Sequence, residues 1–377
     1  MGELRELRVE ITTACLMRCG YCYLSPSHRN APSVLREATF RARLREALPL
    51  GLETVSFTGG EPLLEPDLLL RLLRVARSEG LAVGLLTSGL GLTKEVADAL
   101  AGAGLGWARI SVDAAPEDWE ARQGLRRAFD HAQRAIGAFK ALGIPIILRP
   151  TATPHNTHGL RHLLDFAAAQ GVVRVEIQPY MPSGVSSVDE RYWMPPSVHF
   201  GALRRIHHLK QMMSEMVDLQ LYSGWFEFLS PYYASDAVQM SKCGRSFLFL
   251  DAEGRMKTCA MSRRYLLLPD EGTRTLADVW WEDPYLLALR QPIPSGLCSD
   301  CDKFTVCSKT WCPAVNTVFG RRVNDPIPSC PRVMQMAQRC PQGRAEMEIR
   351  RHEEDASTRI VSWSTADHPI PAELRRP

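Results

Sequence analysis

The first 180 residues alternate short apolar runs with amphipathic stretches, and this alternation limits the fold more than any other feature. Leu7–Thr12 reads as a strand and Ser33–Leu48 as a helix. The pattern then repeats as Glu53–Thr58 with Asp67–Glu79, Ala82–Thr87 with Lys94–Ala103, and Ala108–Val112 with Arg126–Leu142. Pro145–Pro150 with Asn156–Gln170 follows, and Val172–Gln178 is the sixth strand. Strands joined by helices need crossover connections, so they lie parallel, with the helices covering the sheet. Six such units curl toward a barrel but fall short of the eight that close one. The expected fold class is α/β, with a partial (β/α)6 TIM-like barrel.

Beyond the barrel the pattern changes. Residues 179–197 are rich in Pro, Ser and Gly and read as a linker or flap. A helix is expected over Val198–Leu219, and from Tyr222 onward short segments, aromatics and cysteines dominate. The natural division is a barrel with linker and helix over 1–222, a small cysteine-rich domain over 223–343, and a charged tail over 344–377 that is expected to be partly disordered. The net charge of +3 offers no concentrated basic surface for nucleic acid. No run of about 18 apolar residues crosses a membrane. The start, MGELRELRVE, lacks a signal peptide's apolar core, and Glu6 stands where myristoylation needs Ser or Thr. The default location is the cytoplasm.

The chain has 11 cysteines: Cys15, Cys19 and Cys22, and eight more from Cys243 to Cys340, with none between. In a reducing compartment such clusters read as metal ligands rather than disulfides. Cys15-x3-Cys19-x2-Cys22 directly follows the first strand, at the end where barrel active sites form. Three thiolates on one loop can converge on an iron–sulfur cube and leave its fourth iron open, as a catalytic metal centre requires. A zinc loop with a distant fourth ligand is the alternative. Thr58-Gly59-Gly60-Glu61-Pro62 ends the second strand. Its glycines allow close backbone approach to a ligand, and Glu61 can pair with an ammonium group. It is also a good turn.

These two motifs together resemble the radical S-adenosylmethionine (SAM) superfamily. The resemblance implies that Cys15, Cys19 and Cys22 hold a [4Fe–4S] cluster whose open iron binds SAM. It implies reductive cleavage of SAM to a 5′-deoxyadenosyl radical that abstracts a substrate hydrogen. Tyr21 matches the aromatic near the adenine, and Gly59, Gly60, Glu61 and Pro62 match the motif that contacts the methionine amine. Ser88 and Ser111, ending the third and fourth strands, match contacts to the ribose or carboxylate; helix capping is their other reading. Arg122 and Gln178 are further candidates. The later cysteines resemble the SPASM extension, which carries auxiliary clusters. By that resemblance Cys298, Cys301, Cys307 and Cys330 hold an outer cluster, and Cys243, Cys259 and Cys312 an inner one. Here four residues precede Cys312 where the family has three, and Ser308-Lys309-Thr310-Trp311 replaces its glycines. Residues 223–242 lack the upstream Cys of a full inner site, so that cluster is expected to keep an open iron. Cys340 is left as the missing ligand, a hydrogen-atom donor or an inert thiol. A structural zinc module is the other reading of this region.

The resemblance implies a radical SAM oxidoreductase or maturase of natural-product biosynthesis, fed by an external flavodoxin- or ferredoxin-type electron donor. Oxidative modification or crosslinking of a ribosomally made peptide leads. The alternative is oxidation or epimerisation of a small molecule such as an aminoglycoside-type sugar. The first strand runs straight into Cys15, so no N-terminal leader-binding domain is expected; this counts against a peptide, although a separate leader-binding protein could serve. A non-catalytic iron–sulfur electron carrier would need no SAM pocket. Trp225, Trp280, Trp281 and Trp311 read mainly as core packing. His155, His158, His207 and His208 show no metal spacing of their own.

Overall fold

Strand β1 (Glu6–Glu10) sets the pattern: Leu7 and Val9 are fully buried, while Glu6, Arg8 and Glu10 alternate onto the other face. The computed structural model describes residues 2–24, 31–113, 128–181, 190–192, 194, 196–221, 241–262, 264–269, 274–294, 296–302, 304–310, 344–349 and 359–364. Parallel strands follow as β2 (Thr54–Thr58), β3 (Ala82–Thr87), β4 (Trp107–Ile110), β5 (Ile146–Leu148), the short β6 (Thr151–Ala152), β7 (Arg174–Pro179) and β8 (Asp218–Leu221). Helices α1 (Glu37–Ala47), α2 (Pro66–Ser78), α3 (Lys94–Gly102), α4 (Ala128–Ala141), α5 (Leu160–Gln170) and α6 (Pro196–Met213) connect them. Val9, Phe57, Leu85, Ala108 and Ile146 lie in one register across β1 to β5. All five are buried, and they form part of the core shared with the helices.

The other face is polar. Arg8 bonds Glu6 and Ser56, and Arg109 pairs with Glu176 at 3.0 Å from β4 to β7. Trp107 lies across β3, because a Cβ on Gly84 would stand 2.0 Å from its ring. Only glycine leaves room for that indole.

The expected fold class holds, with more strands than the sequence reading counted. Asp218 and Leu219, expected as the end of a helix, begin β8 (Asp218–Leu221), and Leu219 and Leu221 are 2% and 1% exposed. The alternation Asp-Leu-Gln-Leu suits a half-buried strand, and Asp218 meets Arg174 of β7 at 2.7 Å. The expected boundary at 222/223 does not interrupt the sheet. Strand β9 (Phe247–Leu250) pairs in parallel with β1, then β10 (Met256–Lys257) and β11 (Tyr265–Leu267) add antiparallel. The strand order is β11-β10-β9-β1-β2-β3-β4-β5-β7-β6, with β8 also on β7. Among the described strands β8 and β9 do not pair, so the barrel stays open.

Three short helices follow, α7 (Leu276–Glu282), α8 (Pro284–Arg290) and α9 (Phe304–Thr310). Thr275 and Asp278 cap α7 reciprocally, and Asp283 caps α8. Within the tail expected to be partly disordered, β12 (Arg344–Ile349) and β13 (Arg359–Ser364) pair as an antiparallel hairpin. The alternating sequence Ala-Glu-Met-Glu-Ile carries that strand signal.

Candidate active site

Three loops leave the C-terminal ends of β1, β2 and β3 and lock onto one another. Gly60 N donates to Thr12 O at 2.7 Å and Glu61 N to Ala14 O at 2.8 Å. A Cβ on Gly60 would stand 2.2 Å from Ala14 O, and one on Gly59 2.6 Å from Thr12 O. The two glycines thus let the Gly-Gly-Glu-Pro turn pack against the backbone of the cysteine loop. Tyr23 donates to Glu10 Oε1 at 3.0 Å or to Gly59 O at 3.2 Å. Burial pushes the Glu10 carboxyl up to about 7 against the pull of Lys257.

Glu61 is turned inward. It is 1% exposed, and its carboxylate accepts from Leu63 N, Thr87 Oγ1, Ser88 N and Ser88 Oγ. Burial raises its pKa even so. These donors from its own chain make Glu61 a clamp between the second loop and the third. Pro62 opens a buried one-turn helix behind the same wall.

A cavity of about 270 Å³ opens over these loops. Cys15, Cys19 and Cys22 border it with Tyr21, Gly59 and Gly60, as do Ser88, Ser111 and Gln178. Cys243 and Cys259 border the same space. Cys243 lies just before β9 and Cys259 just after β10, so the pairing of β9 with β1 carries them to the cysteine loop. Tyr21 meets Tyr192 edge to face at 5.6 Å, and Tyr192 in turn packs beside Tyr180 and His155.

Several lining residues escaped the sequence reading. Asp113 is 2% exposed, and its Oδ1 accepts from Thr151 N at 2.6 Å. Arg149 donates to Gln178 Oε1 at 2.5 Å. Asp113 closes the Ser111-Val112-Asp113 end of the fourth expected strand, and Arg149 lies one residue before the end of the expected strand Pro145–Pro150, which was the available signal. Ser241, Phe247 and Phe249 also border the cavity, and no motif marks them.

Cys298, Cys301 and Cys307 do not border the cavity. Cys298 is packed in the core, and α9 carries Cys307. Arg245 ties this segment to the Cys243 loop by donating to Ser241 O at 3.3 Å and Ser308 O at 2.7 Å. Trp280 is fully buried, beneath the guanidinium of Arg290 at 3.8 Å. Arg122, Trp225, Trp311, Cys312, Cys330 and Cys340 lie outside the described residues.

None of the eight described cysteines is paired in a disulfide. Among the described residues no three Cys, His, Asp or Glu side chains are drawn together at metal-binding distance. The donor set nonetheless fits an iron–sulfur group. Cys19 is raised well above the usual thiol value by burial and by Cys22, and Cys243 by its bond with Cys259 and by burial. Thiols crowded into a buried site resist ionising together unless a cation compensates them, and iron does so.

Residues 9–167 match the family model described as the radical SAM superfamily. That stretch is a radical SAM domain. Such enzymes use a [4Fe–4S] cluster and SAM. This radical SAM enzyme is 27% identical over 320 residues to the PqqA peptide cyclase of Ruegeria pomeroyi, covering 81% of this chain and 83% of that protein. It is 26% identical over 282 residues to the PqqA peptide cyclase of Xanthomonas campestris pv. campestris, covering 72% of each. Its fold is similar to Streptococcus suis SuiB bound to S-adenosylmethionine, with TM-score 0.66, 15% identity, and 87% of this chain and 77% of that chain covered. It is also similar to anSMEcpe with bound AdoMet and a Kp18Cys peptide, with TM-score 0.65, 14% identity, and 82% and 90% covered. Among the described residues no helix is long and apolar enough to cross a membrane.

Proposed function

We propose that this radical SAM enzyme oxidatively modifies or crosslinks a ribosomally made peptide. The observation that carries the reading is the single cavity bordered by Cys15, Cys19 and Cys22 and also by Cys243 and Cys259. The first three would hold the SAM-binding cluster. Cys243 and Cys259, with Cys312, would hold the inner auxiliary cluster, and Cys298, Cys301, Cys307 and Cys330 the outer one. With cluster and SAM bound, the site supplies a radical that takes a hydrogen atom from the substrate. An oxidised product must then lose one further electron, and the second set of thiols would hold its acceptor within the same cavity.

The chain's own residues orient the reactants. The backbone of Gly59 and Gly60 would meet the methionine end of SAM, with Glu61 fixing that turn from behind. Tyr21 would lie along the adenine. Ser88, Ser111 and Gln178 offer polar contacts, to which Asp113 and Arg149 add opposite charges. The peptide reading is supported by relatives named PqqA peptide cyclase and by the similar SuiB bound to precursor peptide SuiA. A flavodoxin- or ferredoxin-type protein would deliver electrons, and the cytoplasm would supply the reducing surroundings.

The test is release of 5′-deoxyadenosine by the anaerobically reconstituted, reduced enzyme. A candidate precursor peptide should drive it and change mass by loss of hydrogen. Release driven only by an aminosugar would replace the peptide reading with small-molecule oxidation or epimerisation.

A further inference from the structure

Ser241 is a buried hydroxyl facing the cavity, and the reading above gives it no task. The residue is 2% exposed and borders the cavity that Cys243 and Cys259 also border. Its Oγ is buried, with no oxygen or nitrogen partner and only the Cys243 sulfur beside it. The polar group it stands beside is the Cys243 sulfur two residues on, whose ionised form it favours. Sulfur is a weak hydrogen-bond partner, so a buried hydroxyl held only against a thiol is poorly satisfied and open to a stronger ligand.

The local backbone fixes where this hydroxyl sits. Arg245 Nη1 donates to Ser241 O, and the amides of Arg245 and Ser246 both donate to Lys242 O. Gly244 follows Cys243 at φ +69°, where a Cβ would stand 2.8 Å from Leu289 and 2.9 Å from Leu286. This tight turn, pinned to α8 by Arg290 donating to Gly244 O at 2.8 Å, holds Ser241 and Cys243 in fixed relation. Residues 223–242 contain no cysteine, so no thiol from this stretch completes the inner site.

We propose that Ser241 Oγ is an iron ligand of the inner auxiliary cluster, beside the thiolates of Cys243 and Cys259. This rests on the reading that those two cysteines hold a cluster. The hydroxyl binds as an alkoxide, its proton leaving to solvent through the open cavity as the cluster is loaded. An oxygen donor is harder than a thiolate and favours the more oxidised iron. The inner cluster is then closed to direct substrate binding and sits at a lower potential than an all-thiolate cluster would.

The experiment uses full-length protein reconstituted without oxygen, in a Cys15→Ala/Cys19→Ala/Cys22→Ala background that removes the SAM-binding cluster. Iron and sulfide counts, Mössbauer spectra and EPR-monitored redox titrations are compared for Ser241, Ser241→Ala and Ser241→Cys. Ser241→Ala should lose about one iron per chain and give a three-iron EPR signal. Ser241→Cys should restore the iron count, change the Mössbauer parameters of one iron site and raise the midpoint potential of one cluster. A full iron count and unchanged spectra in both variants overturn the ligand role while leaving the cluster reading intact. Absence of iron from the background itself overturns both. If Ser241→Ala fails to fold, the Ser241→Cys spectra and potential still decide, since a merely structural hydroxyl moves neither.

Discussion

Glu61 shows how a motif residue can serve a site without facing it. Four donors converge on its carboxylate, so Glu61→Ala strands the Thr87 and Ser88 hydroxyls and two amides. At about 1–3 kcal/mol for each unsatisfied buried group, with some relief by repacking, the loss should be about 3 kcal/mol or more. Glu61→Gln, which keeps the shape and one acceptor, should cost about 1–2 kcal/mol. Denaturant midpoints read both, and SAM binding by equilibrium dialysis should weaken in the same order. Lost SAM binding at unchanged stability would mean that the carboxylate meets the ligand directly. Gly60→Ala tests the loop contact itself, since its Cβ would stand 2.2 Å from Ala14 O. The cysteine loop must shift, and iron per chain should fall by about four while the C-terminal clusters stay loaded. Glu10 gives a pH signature. Its carboxyl is raised from 4.5 to about 7, so between those values the folded chain keeps a proton that the unfolded chain has released. Stability therefore falls as pH rises through that window, by up to about 3 kcal/mol. Glu10→Gln should flatten this slope in chemical denaturation at pH 5, 6 and 7; parallel curves for the two proteins would refute the assignment.

At the scale of elements, legibility followed periodicity. Ala82–Thr87 coincides with β3, and the helices on α2, α3 and α4 were expected within a few residues, because apolar faces repeat there with helical spacing. β8 was missed because its four residues come only four residues after α6, and a Leu-x-Leu pair also suits a helix end. β9 was missed because Phe-Leu-Phe-Leu has no polar alternation: both of its faces are buried, against the core and against Arg8, which lies 4.9 Å from the Phe247 ring. In the site, residues in dense motifs were legible, namely Cys15, Cys19, Cys22, Gly59 and Gly60. Arg149 and Ser241 were not, because strand order alone brings them to the cavity. Among the later elements, α7 packs on α1, and Trp280 anchors it while donating to Gly2 O at 3.2 Å. Trp280→Ala should cost about 3–5 kcal/mol by cavity formation, measured by denaturant unfolding. A loss below about 1 kcal/mol would mean that α7 is held by other contacts.

At the scale of the molecule, the consequence of β9 is that the barrel includes part of the segment expected to be a separate domain. Arg5 N and Glu6 N both donate to Ser246 O, and Leu248 and Leu250 are fully buried beside β1. A chain ending at residue 222 would leave β1 as an open, apolar edge, the kind of edge that pairs with other chains. It would also lose the Ala252 amide that donates to Glu10 at 3.2 Å, and the Leu268 carbonyl that accepts from Arg43 at 2.8 Å. A true domain boundary crosses few contacts, and this one cuts a sheet. The truncated chain should therefore aggregate or lack a cooperative melting transition, and the full chain should melt residues 1–222 and 241–290 together. Calorimetry of the full chain, alongside size-exclusion chromatography of the truncated one, measures this. If the truncated chain is monomeric and melts at the full chain's temperature, the strand pairing contributes nothing to the barrel. The cavity would then be a meeting of two independent domains, and the inner thiols would reach the substrate only when those domains dock.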